Sequence, residues 1–187
     1  MEMFLLFIFV IYGFYILFII SGLFRHNTIK SFSEKELPSA SIIIAARNEE
    51  KNLPNLIEDL SKQDYPLDKL EIIIVNDRST DKTSELLNEA NKKYEFINSI
   101  NITKTSSEMT PKKNALNRGI LKSKGEIIVS TDADCRVGKS WVMSMVNSTL
   151  KSNGISIGYS KVSASSLFEK YQLIDFLGII ISNAGAS

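Results

Sequence analysis

Two carboxylates one residue apart, Asp132 and Asp134, follow directly on the run Ile127-Ile128-Val129-Ser130-Thr131. In extended backbone the side chains at i and i+2 point the same way. Two such carboxylates repel each other unless a cation sits between them. Hard divalent ions take oxygen ligands, and Mg²⁺ is typically held by one or two carboxylates plus substrate phosphates. The spacing therefore points to a divalent metal, Mg²⁺ or Mn²⁺, joining the chain to a diphosphate. Taken alone, the pattern also fits a polar turn in which Asp132 caps a neighbour and Asp134 is solvated. Two more polar runs carry similar groups, Ala46-Arg47-Asn48-Glu49-Glu50 and Asn76-Asp77-Arg78-Ser79-Thr80-Asp81.

Each of these runs ends an apolar, β-branched stretch: Ser41–Ala45, Glu71–Val75 and Ile127–Ser130. Such near-continuous runs suit strands buried on both faces. Between them lie helical patterns. Leu53, Leu56, Ile57 and Leu60 recur at helical spacing within about Glu50 to Lys62, with Asn48 as the expected cap. Leu86, Leu87 and Ala90 do so within Asp81 to Lys93, capped by Ser79 or Thr80. Ala115, Leu116, Ile120 and Leu121 are expected to face inward from a helix over Lys112 to Lys124, ended by Gly125 as a C′ glycine. Phe96 to Ile102 reads as a weaker edge strand or loop, and Ser140 to Leu150 as a helix. Ile155 to Tyr159 with Val162 reads as a short strand or hairpin. An amphipathic pattern through Leu167, Phe168, Tyr171, Ile174, Leu177 and Ile181 follows. Alternation of this kind predicts an α/β fold, a mostly parallel sheet with helices on both faces. Ligands of open α/β sheets bind at the carboxyl ends of the strands. If the three strands are parallel neighbours, Arg47, Glu49, Asp77, Asp132 and Asp134 converge there.

Composition sets the outer bounds. The chain has 187 residues, 44% of them hydrophobic, and a net charge of +1, which gives no case for a nucleic-acid partner drawn by bulk charge. The single cysteine, Cys135, makes no internal disulfide, and no Cys/His cluster suggests zinc. Neither G-x-G-x-x-G nor G-x-x-x-x-G-K-[ST] occurs. From Met3 to Phe24 the apolar run is broken only by Gly13, Ser21 and Gly22. About 20 such residues cross a bilayer as a helix. Glu2 rather than a basic group precedes the run and no A-x-A-like cleavage site ends it, which favours an uncleaved anchor. Arg25, Lys30 and Lys35 follow it, so the remainder is expected on the cytoplasmic side.

Four segments in order carry a resemblance: A-A-R-N-E-E, V-N-D-R-S-T-D-K-T, K-x-x-A-L-N-R-G from Lys112, and T-D-A-D. The chain resembles the nucleotide-binding half of an inverting family 2 glycosyltransferase of the GT-A type, over Ser41 to about Cys135. The resemblance implies a membrane-anchored enzyme that uses a nucleotide-sugar donor, with UDP as the expected nucleotide, and a glycan or lipid acceptor. By the same resemblance Asp77 would contact the uracil or ribose, and Ala46, Arg47 and Glu49 would line the nucleoside pocket. Lys112 would approach the nucleotide or diphosphate, Asp132 the ribose or sugar, and Asp134 would hold the metal. Ala45 stands where relatives often have proline, and Lys113-Asn114 replaces their usual small residues.

The family's catalytic base lies well downstream of D-x-D, often within an E-D sequence. Glu169 and Asp175 lack that context, so the base is expected beyond Ser187. The expected organisation is an anchor over residues 1–25, a linker over 26–40, and a nucleotide-sugar-binding domain over 41–187 that is truncated at its C-terminal end. Two alternatives compete. One is a non-catalytic fragment that at most binds a nucleotide. The other is a phosphohydrolase with an aspartyl nucleophile, which would want Thr or Val where Arg136 stands.

Overall fold

The structure, a computed structural model, describes residues 2–23, 36–152, 154–158 and 166–174. The chain divides into two compact units, residues 30–157 and residues 1–29 with 158–187.

In the larger unit the elements are β1 (Ala40–Ala46), α2 (Leu53–Ser61), β2 (Leu70–Asp77), α3 (Thr83–Lys93), β3 (Ile97–Ile102), α4 (Pro111–Lys122), β4 (Ile127–Ser130) and α5 (Trp141–Ser152). The four strands form one sheet in the order β3-β2-β1-β4, and every pairing is parallel. Register sets Ile42 beside Ile72 and Val129, and Ile44 beside Ile74. Alternate residues of β1 and β2 serve two cores. Ile42, Ile44, Ile72 and Ile74 pack with Leu56 and Leu60 of α2, Leu87 of α3, and Val142 and Val146 of α5. Ile43, Ile73 and Val75 pack under Ala115 of α4. A strand covered on both faces has no side on which polar residues are favoured, hence the Ile-Ile-Ile runs.

Several local expectations are corrected. α2 begins at Leu53, not near Glu50, and Asn48 is not its cap; Asn52 holds that position. Asn48 instead adopts a left-handed backbone, with φ 57°, and its side chain takes the Thr80 N–H. Neither Ser79 nor Thr80 caps α3; Asp81 Oδ1 accepts the Thr83 N–H at the start of that helix, at 3.0 Å. Gly125 is no C′ glycine, because Ser123 ends α4 in extended backbone and no described glycine has positive φ. Glycine is needed there for close approach, since a Cβ would fall 2.6 Å from Ser41 Oγ and 2.7 Å from the Ala40 carbonyl carbon. On α4, Ile120 and Leu121 are exposed, while Asn114, Ala115 and Gly119 face the sheet. β4, expected to be buried on both faces, is an edge strand of the described sheet, and Ile128 is 40% exposed because α4 lies over β1 and β2. Residues 155–158 form no strand, and Ile155 and Ile157 are exposed. The edge strand expected near Phe96 is β3. Tyr159, Val162 and most of the linker lie outside the described residues.

In the smaller unit, α1 (Glu2–Leu23) is long and apolar enough over Met3–Gly22 to cross a membrane. At about 1.5 Å rise per residue its 22 residues exceed a hydrocarbon core of about 30 Å. A helix over residues 167–174 exposes Leu167, Phe168, Tyr171 and Ile174. Leu177 and Ile181 lie outside the described residues.

Candidate functional site

All four strands run the same way, so their carboxyl ends form one edge. The chain passes outward from β1 through β2 to β3, then returns to place β4 on the other side of β1. The direction of winding reverses between β1 and β4, and a crevice opens at such a switch point. β1 delivers Ala46, Arg47 and Glu49 to this crevice, β2 delivers Asp77, and β4 delivers Asp132 and Asp134. Lys112 enters from the first turn of α4. All seven line one open cleft of about 270 Å³, together with Ala45, Pro111, Ala115 and Ala133. The convergence expected from parallel neighbours is thus present.

Ala133 is packed in the core while Asp132 and Asp134 on either side are exposed. The backbone here is a turn and not the extended strand expected, so the strand rule does not set their directions; both carboxylates nevertheless line the same cleft. The Cys135 N–H closes the turn on the Asp132 carbonyl at 3.2 Å. Lys112 Nζ donates to Asp132 Oδ1 at 2.7 Å, with both side chains more than half exposed. Such a pair adds little stability; its effect is to bring a positive charge to the carboxylate pair. Asp77 is 4% exposed and accepts a fork from its neighbour, Arg78 Nε to Oδ1 at 2.8 Å and Nη2 to Oδ2 at 3.2 Å. Those bonds raise the Arg78 guanidinium above its ordinary value.

The segment after Asp134 is tied to α2. Arg136 Nε and Nη2 donate to Asp59 Oδ2 and Oδ1 at 2.5 and 2.8 Å, and the Val137 N–H donates to Asp59 Oδ2 at 3.2 Å. The Arg136 guanidinium holds the Asp59 carboxyl below the usual range. Buried Gln63 donates to the Gly138 carbonyl at 2.8 Å and accepts the Val142 N–H at 3.0 Å.

Four carboxylates line the cleft against two basic groups, and Arg78 already engages one of the four. A cation complements that excess. Among the described residues no three acidic, histidine or cysteine side chains gather as a metal cage. The donor set therefore fits a divalent ion shared with a diphosphate, for which one or two protein carboxylates suffice.

Sequence reading missed the Arg78 fork, the anchoring role of Asp59 and the small residues Ala45, Ala115 and Ala133 that leave the cleft its room. Adjacency of Asp77 and Arg78 was the available signal for the first. Nothing local marks Asp59, whose partners lie 77 and 78 positions away.

Comparison with known proteins extends these observations. The family model for glycosyl transferase family 2 matches residues 41–180. A probable glycosyltransferase, YdaM, of Bacillus subtilis (strain 168) is 40% identical over 127 residues, 64% of this chain and 30% of its own length. A beta-monoglucosyldiacylglycerol synthase of Nostoc sp. (strain PCC 7120) is 36% identical over 111 residues, 59% of this chain and 23% of its own. The chain thus spans less than a third of these relatives. Among solved structures, the mannosyltransferase PcManGT of Pyrobaculum calidifontis, in complex with GDP-Man and Mn²⁺, aligns with a TM-score of 0.61 at 23% identity. That alignment covers 74% of this chain and 40% of PcManGT. It shows the shared GT-A-like fold. With its parallel sheet, its strand-end cleft and a family match over most of its length, the chain belongs to glycosyl transferase family 2.

Proposed function

We propose that the protein is a membrane-anchored glycosyltransferase that moves a sugar from a nucleotide donor, a UDP-sugar, to a glycan or lipid acceptor with the aid of a divalent metal. The observation that carries this reading is the meeting of seven residues from four separate segments in one cleft at the sheet's switch point. In it Asp77 receives the base or ribose, and Ala46, Arg47 and Glu49 wall the nucleoside. Lys112 faces the diphosphate, Asp132 the ribose or sugar, and Asp134 holds the metal. A bound Mg²⁺ or Mn²⁺ supplies Lewis-acid neutralisation of charge on the departing nucleoside diphosphate. Mn²⁺ in the PcManGT complex supports a metal of this kind. α1 serves as the anchor, with the cleft on the cytoplasmic side.

Calorimetric titration of the detergent-solubilised chain tests this. UDP is expected to bind at least about tenfold more tightly with Mn²⁺ than with chelator, a difference of about 1.4 kcal/mol. Asp134→Asn is expected to remove that difference. Binding of GDP in preference to UDP would correct the nucleotide, and binding of neither would refute the reading.

A further inference from the structure

Asn48 and Arg78 are the non-glycine residues of the described chain with left-handed backbone, at φ 57° and 56°. One stands two residues past the end of β1, the other directly past the end of β2. Between the two loops run six hydrogen bonds, one of them from Thr80 Oγ1 to Asn48 Oδ1 at 3.4 Å. The Asn48 N–H donates to Ser79 Oγ at 3.0 Å, and the Thr80 N–H donates to Asn48 Oδ1 at 2.8 Å. The Glu49 N–H donates to Thr83 Oγ1 at 2.8 Å and the Glu50 N–H to Asp81 Oδ2 at 3.1 Å. The Lys82 N–H returns to Glu50 Oε2 at 3.2 Å. Each loop thereby satisfies backbone donors of the other; Asn48 and Glu50 both give and receive, and of the two only Asn48 has left-handed backbone. Its neighbours Arg47 and Glu49 line the cleft, as does Asp77, which leads into the second loop.

Left-handed backbone is disfavoured for most L-residues but tolerated by asparagine and aspartate, and is free for glycine. Replacing the Asn48 side chain removes the bonds it accepts from Thr80, while those made by the backbone N–H groups of residues 48–50 and by Glu50 do not depend on it. A residue that disfavours left-handed backbone then strains against the bonds that remain, between Arg47 and Glu49. We propose that Asn48 is a positioning residue, a latch that holds the loops after β1 and β2 together so that the nucleoside half of the cleft is formed before the nucleotide arrives. The proposal rests on the nucleotide-binding reading above.

Three substitutions separate the contributions. Asn48→Asp keeps both the tolerated backbone and an acceptor for the Thr80 N–H. Asn48→Gly keeps the backbone and removes the acceptor, and Asn48→Ala loses both. Calorimetry with UDP and with GDP, each with Mn²⁺, is paired with thermal unfolding of the same full chain. A latch that lowers the binding-competent fraction raises the apparent Kd in proportion. The expected rise is about threefold to tenfold for Asn48→Gly and about tenfold or more for Asn48→Ala, with Asn48→Asp within about threefold of the parent. A purely structural role would lower the unfolding temperature and leave the Kd of the folded protein unchanged in all three; that result overturns the proposal. If Asn48→Ala does not fold, the comparison of Asp with Gly decides on the same terms. A parent chain that binds neither nucleotide sinks the functional reading and the latch with it. A parent that binds while the series stays flat sinks the latch alone.

Discussion

Gly119→Ala is the most informative single change, because helix propensity and packing make opposite forecasts. Alanine is favoured over glycine in a helix interior by about 1 kcal/mol. Were α4 (Pro111–Lys122) governed by propensity, the substitution would stabilise. A Cβ on Gly119, however, would lie closer than 3.0 Å to Ile43 Cγ2 and 3.2 Å from Val75 Cγ2. Ordinary carbon contacts are about 3.5–4.0 Å, so about 1 Å must be opened. Ile43 cannot readily give: it is fully buried, β-branched, and held in a strand paired on both sides. The helix must lift instead. Overpacking costs about 1–3 kcal/mol, and rigid neighbours put this site in the upper part of that range. After the propensity gain the net loss is about 1–2 kcal/mol, or about 3–6 °C in Tm for a chain of this size. The same lift moves Lys112, two turns earlier on α4, away from Asp132. The assay is thermal unfolding by circular dichroism, followed by UDP titration of the folded protein. Stabilisation by about 1 kcal/mol with unchanged UDP affinity would refute the reasoning, because α4 would then not be seated on Ile43 as described.

Two further outcomes follow from the ion pairs. Arg78→Gly relieves a left-handed backbone but leaves the buried Asp77 without its fork. Loss of the fork on a buried carboxylate outweighs the relief, so urea unfolding is expected to show a net loss of stability; a gain would mean that Asp77 is compensated elsewhere. Asp59, with its folded pKa held below the ordinary 3.8 by Arg136, stabilises the folded state above that value. The contribution is lost as pH falls below 3.8 through the lower folded value, since the unfolded chain then binds the proton first. Asp59→Asn is expected to flatten that acid limb in unfolding midpoints measured from neutral pH downward. An unchanged acid limb would show that Asp59 and Arg136 do not hold the segment after Asp134.

The parts that were legible in the sequence are those whose cause is local. Ile42, Ile43 and Ile44 announce a strand with two covered faces, because each face needs its own apolar residues. Arg47, Asp77 and Asp134 announce a strand-end site, because polar groups directly after buried strands in a parallel sheet have one edge to occupy. What sequence could not supply depends on partners far along the chain. Asn48 looks like a helix cap until Thr80, 32 positions on, supplies the N–H that its side chain takes. Gly125 looks like a helix stop until Ser41, 84 positions earlier, proves to need the space and binds the Gly125 N–H through its hydroxyl. The apolar stripe expected of α4 holds for Ala115 and Leu116 but fails at Ile120 and Leu121, for a related reason. Close seating on a sheet selects the smallest residue for the line of contact, so Gly119 turned inward and Ile120 and Leu121 turned out. In each case a small or polar residue holds the decisive position, Asn48, Gly125 or Gly119, and its role comes from the close approach of a distant part of the chain. The same property makes these positions sensitive to substitution: a side chain chosen for proximity has no room to be exchanged, whereas the isoleucines of β1 (Ala40–Ala46) need only remain apolar and of similar volume.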